Sequence, residues 1–174
     1  MKKLLVVVDY QNDFVVGSLG FKGAEAIDKF IAEKVLKYRE EGADIIYTMD
    51  THGPAYMDMQ EGRKLPVIHC QNGTDGWKLY GETGKVCENA MTIGKHTFGS
   101  FDLAMMALNN GYEQIELCGV MMNVSVMANA ILLKTAQPEA EIIIDSNCVA
   151  SPDISLKEKA LDVLESMQFT IINR

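Results

Sequence analysis

Residues Leu4 to Val8 read Leu-Leu-Val-Val-Val, an unbroken apolar run that follows Lys2-Lys3 and stops at Asp9. Side chains alternate between the faces of a strand, so a run that is apolar at every position has to be covered on both sides. That is the pattern of a strand in the middle of a parallel sheet, with helices packed above and below. Asp9, at the C-terminal end of such a strand, is aimed into the crevice where open α/β sheets bind their ligands.

The rest of the chain repeats this logic. A loop from Gln11 to Gly23 releases a helix whose apolar stripe is Ile27, Phe30, Ile31, Val35 and Tyr38, ended by Gly42. Asp44 to Met49 reads as a second strand, with Asp50 at its end. Thr51 to Lys85 loses periodicity and reads as an irregular excursion in which Val67 to Cys70 is a short extended piece. Met91 to Lys95 is the next strand, followed by a helix through Leu103, Met106 and Ala107. Gln114 to Leu117 and Glu141 to Asp145 are further strands, Leu156 to Met167 is a helix with Leu161, Val163 and Leu164 inward, and Phe169 to Ile172 is the last strand. Strand and helix alternate throughout, which predicts an α/β fold, a doubly wound, mostly parallel sheet with helices on both faces. With 174 residues and no internal repeat, one domain spanning residues 1–174 is expected.

Composition narrows the partners. A formal net charge of -8 argues against nucleic acid, which calls for a basic surface. The N-terminal apolar run is too short for a membrane span or a signal peptide, so a cytoplasmic protein with no membrane partner is expected. Cys70, Cys87, Cys118 and Cys148 show no CxxC spacing and read as reduced thiols.

The chemistry is concentrated at a corner. The strand ending near Leu117 runs through Gly119 into a helix that Asn123 can cap, with Val126, Ala130 and Leu133 on its apolar side, so Ser125 falls in the helix's first turn. There a side chain meets free backbone N–H groups and the positive end of the helix dipole. Asp9, Lys95 and Ser125 all lie at or just after the C-terminal ends of different strands, and such ends converge. An acid, a cation and a nucleophile in one crevice form a coherent acyl-transfer set; the alternative is a turn former, a solvated strand end and a helix cap. A Ser-His-Asp hydrolase is disfavoured, because there is no G-x-S-x-G and His52, His69 and His96 all precede Ser125. Asp50-Thr51-His52, with Glu61 and His69 later in the same loop, offers a mixed nitrogen and oxygen set for Zn²⁺, Fe²⁺ or Mn²⁺, unless these are surface histidines. The spacing of Gly17, Gly20 and Gly23 does not fit a dinucleotide fingerprint, and no organic cofactor is expected.

Taken together, Val6 to Phe14 (VVVDYQNDF), Asp50-Thr51-His52, His69-Cys70 with Gly73 to Trp77 (GTDGW), Ile93 to Phe101 (IGKHTFGSF) and the Cys118-Gly119-Val120 turn resemble the isochorismatase-like cysteine hydrolases, within them the nicotinamidase-related branch. The resemblance covers nearly the whole chain. It implies a six-stranded Rossmann-like sheet and an acid, lysine and nucleophile triad at Asp9, Lys95 and Ser125. It also implies an oxyanion hole from the backbone N–H groups of Met121 and Ser125 after a cis Val120–Met121 bond. A divalent metal, Zn²⁺ with Fe²⁺ or Mn²⁺ as alternatives, would be held by Asp50, His52 and His69, with Glu61 as a further ligand. A homo-oligomer acting on a small-molecule substrate is expected. Two departures stand out: Ser125 occupies the position of the family's nucleophilic cysteine, and Leu65-Pro66-Val67-Ile68-His69 lacks the tryptophan that commonly stacks on a pyridine ring, leaving Phe14 and Trp77 to serve. The expected activity is hydrolysis of a small planar carboxamide through an acyl-enzyme. The alternatives are a catalytically silent family member that binds a small ligand or partner, and a vinyl-ether hydrolase of the isochorismatase type.

Overall fold

The computed structural model describes residues 1–174 and contains six strands: β1 (Lys3–Val8), β2 (Asp44–Asp50), β3 (Met91–Lys95), β4 (Gln114–Val120), β5 (Glu141–Ala150) and β6 (Thr170–Ile172). They form one sheet in the order β3-β2-β1-β4-β5-β6, with every pairing parallel. The apolar run of β1 is central, and its side chains divide as its composition demands. Leu4, Val6 and Val8 join the core on one face, and Leu5 and Val7 join the core on the other.

The helices are α1 (Asn12–Val15), α2 (Asp28–Glu40), α3 (Gln60–Lys64), α4 (Gly81–Val86), α5 (Phe101–Asn110), α6 (Met127–Ala136) and α7 (Ile154–Ser166). Leu103 and Ala107 of α5, Ala130 and Leu133 of α6, and Leu161 and Leu164 of α7 cover the Leu4 face; Ile31, Val35 and Tyr38 of α2 cover the other. No helix is long and apolar enough to cross a membrane.

Several local expectations are corrected. Phe30 and Val163, expected inward, are exposed, because each lies about 100° around its helix from the buried neighbour that follows it. The stretch after β2 holds two short helices, α3 and α4, and a turn of 3₁₀ helix at Tyr56–Asp58. Its extended pairing is limited to two isolated bridges, His52 with Gln71 and Leu79 with Gln11, rather than a strand over Val67 to Cys70. β5 runs on past Asp145 to Ala150 through a register shift against β4, so its polar Ser146-Asn147 interrupts the ladder without ending the strand.

Strand order reverses between β1 and β4, and ligands of open parallel sheets bind at that switch point. Val8 and Gly119 are register partners there. Gly119 has φ +116°, and a Cβ placed on it would stand 2.1 Å from the Val8 carbonyl oxygen, so only glycine fits this approach of the two strand ends.

Candidate active site

Asp9 leaves β1 in the left-handed region, with φ +47°. Its fully buried carboxylate accepts a hydrogen bond from Thr48 Oγ1 at 2.6 Å on Oδ1 and meets Lys95 Nζ at 2.6 Å on Oδ2. That second contact is a short, buried, charge-assisted pair. Lys95 ends β3 and is the register partner of Asp50 at the end of β2, and its ammonium also reaches Asp50 Oδ1 at 3.3 Å and the Thr97 carbonyl at 3.1 Å. Burial raises the pKa of Asp9, and the charge of Asp50 beyond Lys95 adds to it, against the pull of Lys95 and Thr48. Burial works against the charge of Lys95, but Asp9 and Asp50 outweigh it and hold the ammonium above its ordinary value.

The second oxygen of Asp50 belongs to another cluster. Oδ2 stands 3.0 Å from His52 Nε2 and 3.5 Å from His69 Nε2, while His52 Nε2 is 3.9 Å from Glu61 Oε1. One donor atom from each of Asp50, His52, Glu61 and His69 lies within 4.8 Å of all the others. His69 Nδ1 is 2.7 Å from the Val67 carbonyl, which fixes a proton on Nδ1 and turns the Nε2 lone pair towards the carboxylate of Asp50. Two acceptors facing one another need a cation or a proton between them, and a nitrogen and oxygen set of this kind fits a divalent metal. Burial opposes the charge of both residues, yet the hydrogen bond with Asp50 raises His69, and hydrogen bonds from His52 and His69 hold Asp50 well below the carboxylate range. Tyr56 packs against both imidazoles, with ring centroids 4.5 Å from His52 and 5.1 Å from His69.

Ser125 lies on a turn of π-helix, Met122–Val126, that leads into α6. Helical structure therefore begins at Met122, and Asn123, expected as the cap, lies inside it with its side-chain oxygen buried and unpaired. The Val120–Met121 peptide is cis. The Met121 N–H has no acceptor within the protein and is free to receive a ligand oxygen, and the Ser125 N–H has no acceptor at the carbonyls four or five residues before it. Ser125 and Met121 line a cavity of about 160 Å³ together with Phe14, Phe98, Val124 and Leu65, and with Asp50, Glu61 and His69 at its polar end. The Phe14 ring stands 5.5 Å from that of His69.

The structure thus joins Asp9, Lys95 and Asp50 by contact, and gathers Ser125, Met121, Phe14, Asp50, Glu61 and His69 around one cavity. No hydrogen bond connects Ser125 Oγ with Asp9 or Lys95. Trp77, expected to face the substrate, is placed elsewhere: its indole N–H donates to Thr51 Oγ1 at 2.9 Å, and its ring lines a separate groove with Tyr47, Met49 and Leu79.

The residue-by-residue reading missed three positioning side chains. Gln11, fully buried, accepts from the Asp50 N–H at 2.8 Å and donates to the Asp50 carbonyl at 2.9 Å, clamping the carboxylate's own backbone. Asp13 accepts from the Cys70 N–H at 2.7 Å, next to His69. Asn129, one turn after Ser125, donates to the Ser125 carbonyl at 2.8 Å and the Phe98 carbonyl at 3.2 Å, and accepts from the Ser100 N–H at 2.9 Å. The signal for the first two was a polar Gln-Asn-Asp set directly after an apolar strand.

A family model for the isochorismatase domain matches residues 3–174. The chain belongs to the isochorismatase family. Among solved structures of this family's fold, the nicotinamidase/pyrazinamidase PncA from Bacillus subtilis is 26% identical at a TM-score of 0.89, with 98% of this chain and 99% of that one covered. The pyrazinamidase/nicotinamidase from Streptococcus mutans UA159 is 28% identical at a TM-score of 0.89, covering 98% and 100%. The pyrazinamidase of Pyrococcus horikoshii, solved in complex with zinc, is 26% identical at a TM-score of 0.87, covering all of both chains.

Proposed function

We propose that this isochorismatase-family chain is an amide hydrolase of the nicotinamidase-related type, acting on a small planar carboxamide, with Ser125 standing where an attacking atom is needed. The observation that carries the reading is the shared cavity: Ser125 and the unpaired Met121 N–H line it, and Asp50, itself bonded to Lys95, forms its polar end. The carboxamide plane lies against Phe14, and its carbonyl oxygen is received by the N–H groups of Met121 and Ser125. Attack by Ser125 Oγ on the carbonyl carbon passes the hydroxyl proton to Asp9. The same proton leaves with the amine as ammonia when the C–N bond breaks, and water, deprotonated by Asp9, then hydrolyses the ester. Lys95 holds Asp9 in place throughout.

Asp50, His52, Glu61 and His69 would hold a divalent metal, Zn²⁺ or in its place Fe²⁺ or Mn²⁺. Such a metal supplies Lewis-acid polarisation of a bound oxygen.

One observation favours a second reading. Ser125 Oγ has no hydrogen bond to Asp9, and an alcohol is far harder to deprotonate than a thiol of pKa ~8.5, so a slow or silent member that retains ligand binding fits the same cavity. A vinyl-ether hydrolase with an anionic substrate is disfavoured by the two carboxylates, Asp50 and Glu61, and the absence of Lys or Arg in the cavity lining. Intact-mass spectrometry after incubation with an activated aromatic ester decides between the first two: the amidase reading expects an acyl adduct that maps to residue 125, and a folded protein that is never acylated supports the silent member.

A further inference from the structure

The cavity beside Ser125, about 160 Å³, is small against the ~300–1,000 Å³ usual for small-molecule sites. It continues outward. Glu61, Leu65 and Phe98 line both this cavity and a second space of about 420 Å³, which is completed by Met59, Gln60 and Lys64 on one wall and by His96 and Thr97 on the other.

Both walls are fixed by bonds to the inner site. The Thr97 carbonyl accepts from Lys95 Nζ at 3.1 Å, the Phe98 carbonyl from Asn129 at 3.2 Å, and His96 Nδ1 stands 2.6 Å from the Thr51 carbonyl. On the opposite wall, the Tyr56 hydroxyl, whose ring packs on the two imidazoles, donates to the Leu65 carbonyl at 2.8 Å. The outer space is therefore built into the site.

Its chemistry differs from that of the inner cavity. The inner end carries Asp50 and Glu61 and no Lys or Arg, which disfavours an anion there. The outer groove presents the apolar side chains of Met59, Leu65 and Phe98, which are 45%, 38% and 52% exposed. It also holds Glu61, shared with the inner cavity, and Lys64, which lies in the last turn of α3, makes no hydrogen bond or ion pair within the protein and is the one ammonium in the groove lining.

We propose that the outer groove is a substrate subsite: the preferred substrate is an extended carboxamide, with an apolar stem on Met59, Leu65 and Phe98 and a distal anionic group at Lys64. The proposal rests on the amide-hydrolase reading and narrows its substrate class. A bare planar amide fills only the inner cavity, whereas the outer groove adds an apolar wall and one unpaired ammonium beyond it.

Equilibrium binding tests it without relying on turnover. The probes are benzamide, 4-butylbenzamide and 4-(3-carboxypropyl)benzamide, titrated by calorimetry into the full chain with Zn²⁺ supplied. The butyl compound is expected to bind about tenfold more tightly than benzamide through added apolar burial, and the carboxylate about threefold more tightly again through Lys64. Lys64→Ala should remove the second gain only, and Phe98→Ala should shrink the first. Benzamide binding with no gain from either extension overturns the subsite and leaves the amidase reading intact. Failure of all three to bind overturns the subsite and counts against the carboxamide reading as well. Loss of oligomeric mass in Phe98→Ala, with all three affinities unchanged, overturns it in favour of an interface between copies of the chain.

Discussion

Asp50 lies between Lys95 and the two imidazoles, with Oδ1 3.3 Å from Lys95 Nζ and Oδ2 3.0 Å from His52 Nε2 and 3.5 Å from His69 Nε2. One carboxylate thereby links the ion pair that holds Asp9 to the set of donors suited to a metal. The contact with Lys95 follows from strand register, because Asp50 and Lys95 are paired residues at adjacent strand ends.

Asp50→Ala should therefore weaken metal binding. Zn²⁺ affinity, read by competition with a chromogenic chelator, should fall by ~100-fold or more, since even indirect support of a ligand is worth ~10–100-fold. Gln11→Ala, which frees the Asp50 backbone without removing a ligand, should show a smaller loss of about tenfold.

Asn129→Ala tests the strap between the Ser125 turn and the loop after β3. It leaves the Ser100 N–H and the Ser125 and Phe98 carbonyls without their partner. At ~1–3 kcal/mol for an unsatisfied buried group, a loss of roughly 2–4 kcal/mol is expected, and a Tm lower by about 4–16 °C. Hydrogen exchange should rise at residues 96–100 before the rest of the chain.

The strand-end acids and Lys95 were legible in the sequence because each apolar run stops at a charged residue, and a parallel sheet brings such stops to one edge. The partners of Gln11 and Asn129 were not, since Gln11 reaches Asp50 and Asn129 reaches Phe98 across elements, with no local spacing to announce it. Asn123 was misread as a cap because the helix starts before it at Met122, and Trp77 as a substrate contact because its hydrogen bond to Thr51 is set by tertiary packing. Ser125 was placed correctly on the turn after β4, where Gly119 announces the close approach of two strands.

Away from the cavity, Asp145 accepts from Lys34 at 2.7 Å and from Asn173 at 3.1 Å, and Lys34 also pairs with Glu116. Burial opposes the Asp145 charge, but the bonds from Lys34 and Asn173 outweigh it and keep the pKa below its ordinary value. A carboxyl depressed in the folded state contributes stability that is present above its unfolded pKa of ~3.9 and is lost as pH falls through the lower folded value. Denaturation midpoints measured across the acid range should fall with pH in the native chain, and the fall should be shallower in Asp145→Asn.

The central claim is that the pocket around residue 125 is arranged for acyl transfer and that the hydroxyl limits its rate. It is tested most directly by ammonia release from nicotinamide, pyrazinamide and benzamide, with Zn²⁺ supplied, by the native chain, by Ser125→Cys and by Ser125→Cys combined with Asp9→Asn. A thiol titrates near ~8.5 and is within reach of a buried carboxylate whose own pKa is raised. Ser125→Cys is expected to release ammonia at least ~100-fold faster than the native chain, and the added Asp9→Asn to abolish the gain, as loss of a general base would. A folded Ser125→Cys protein that releases no more ammonia than the native chain, or one whose activity survives Asp9→Asn, would contradict it.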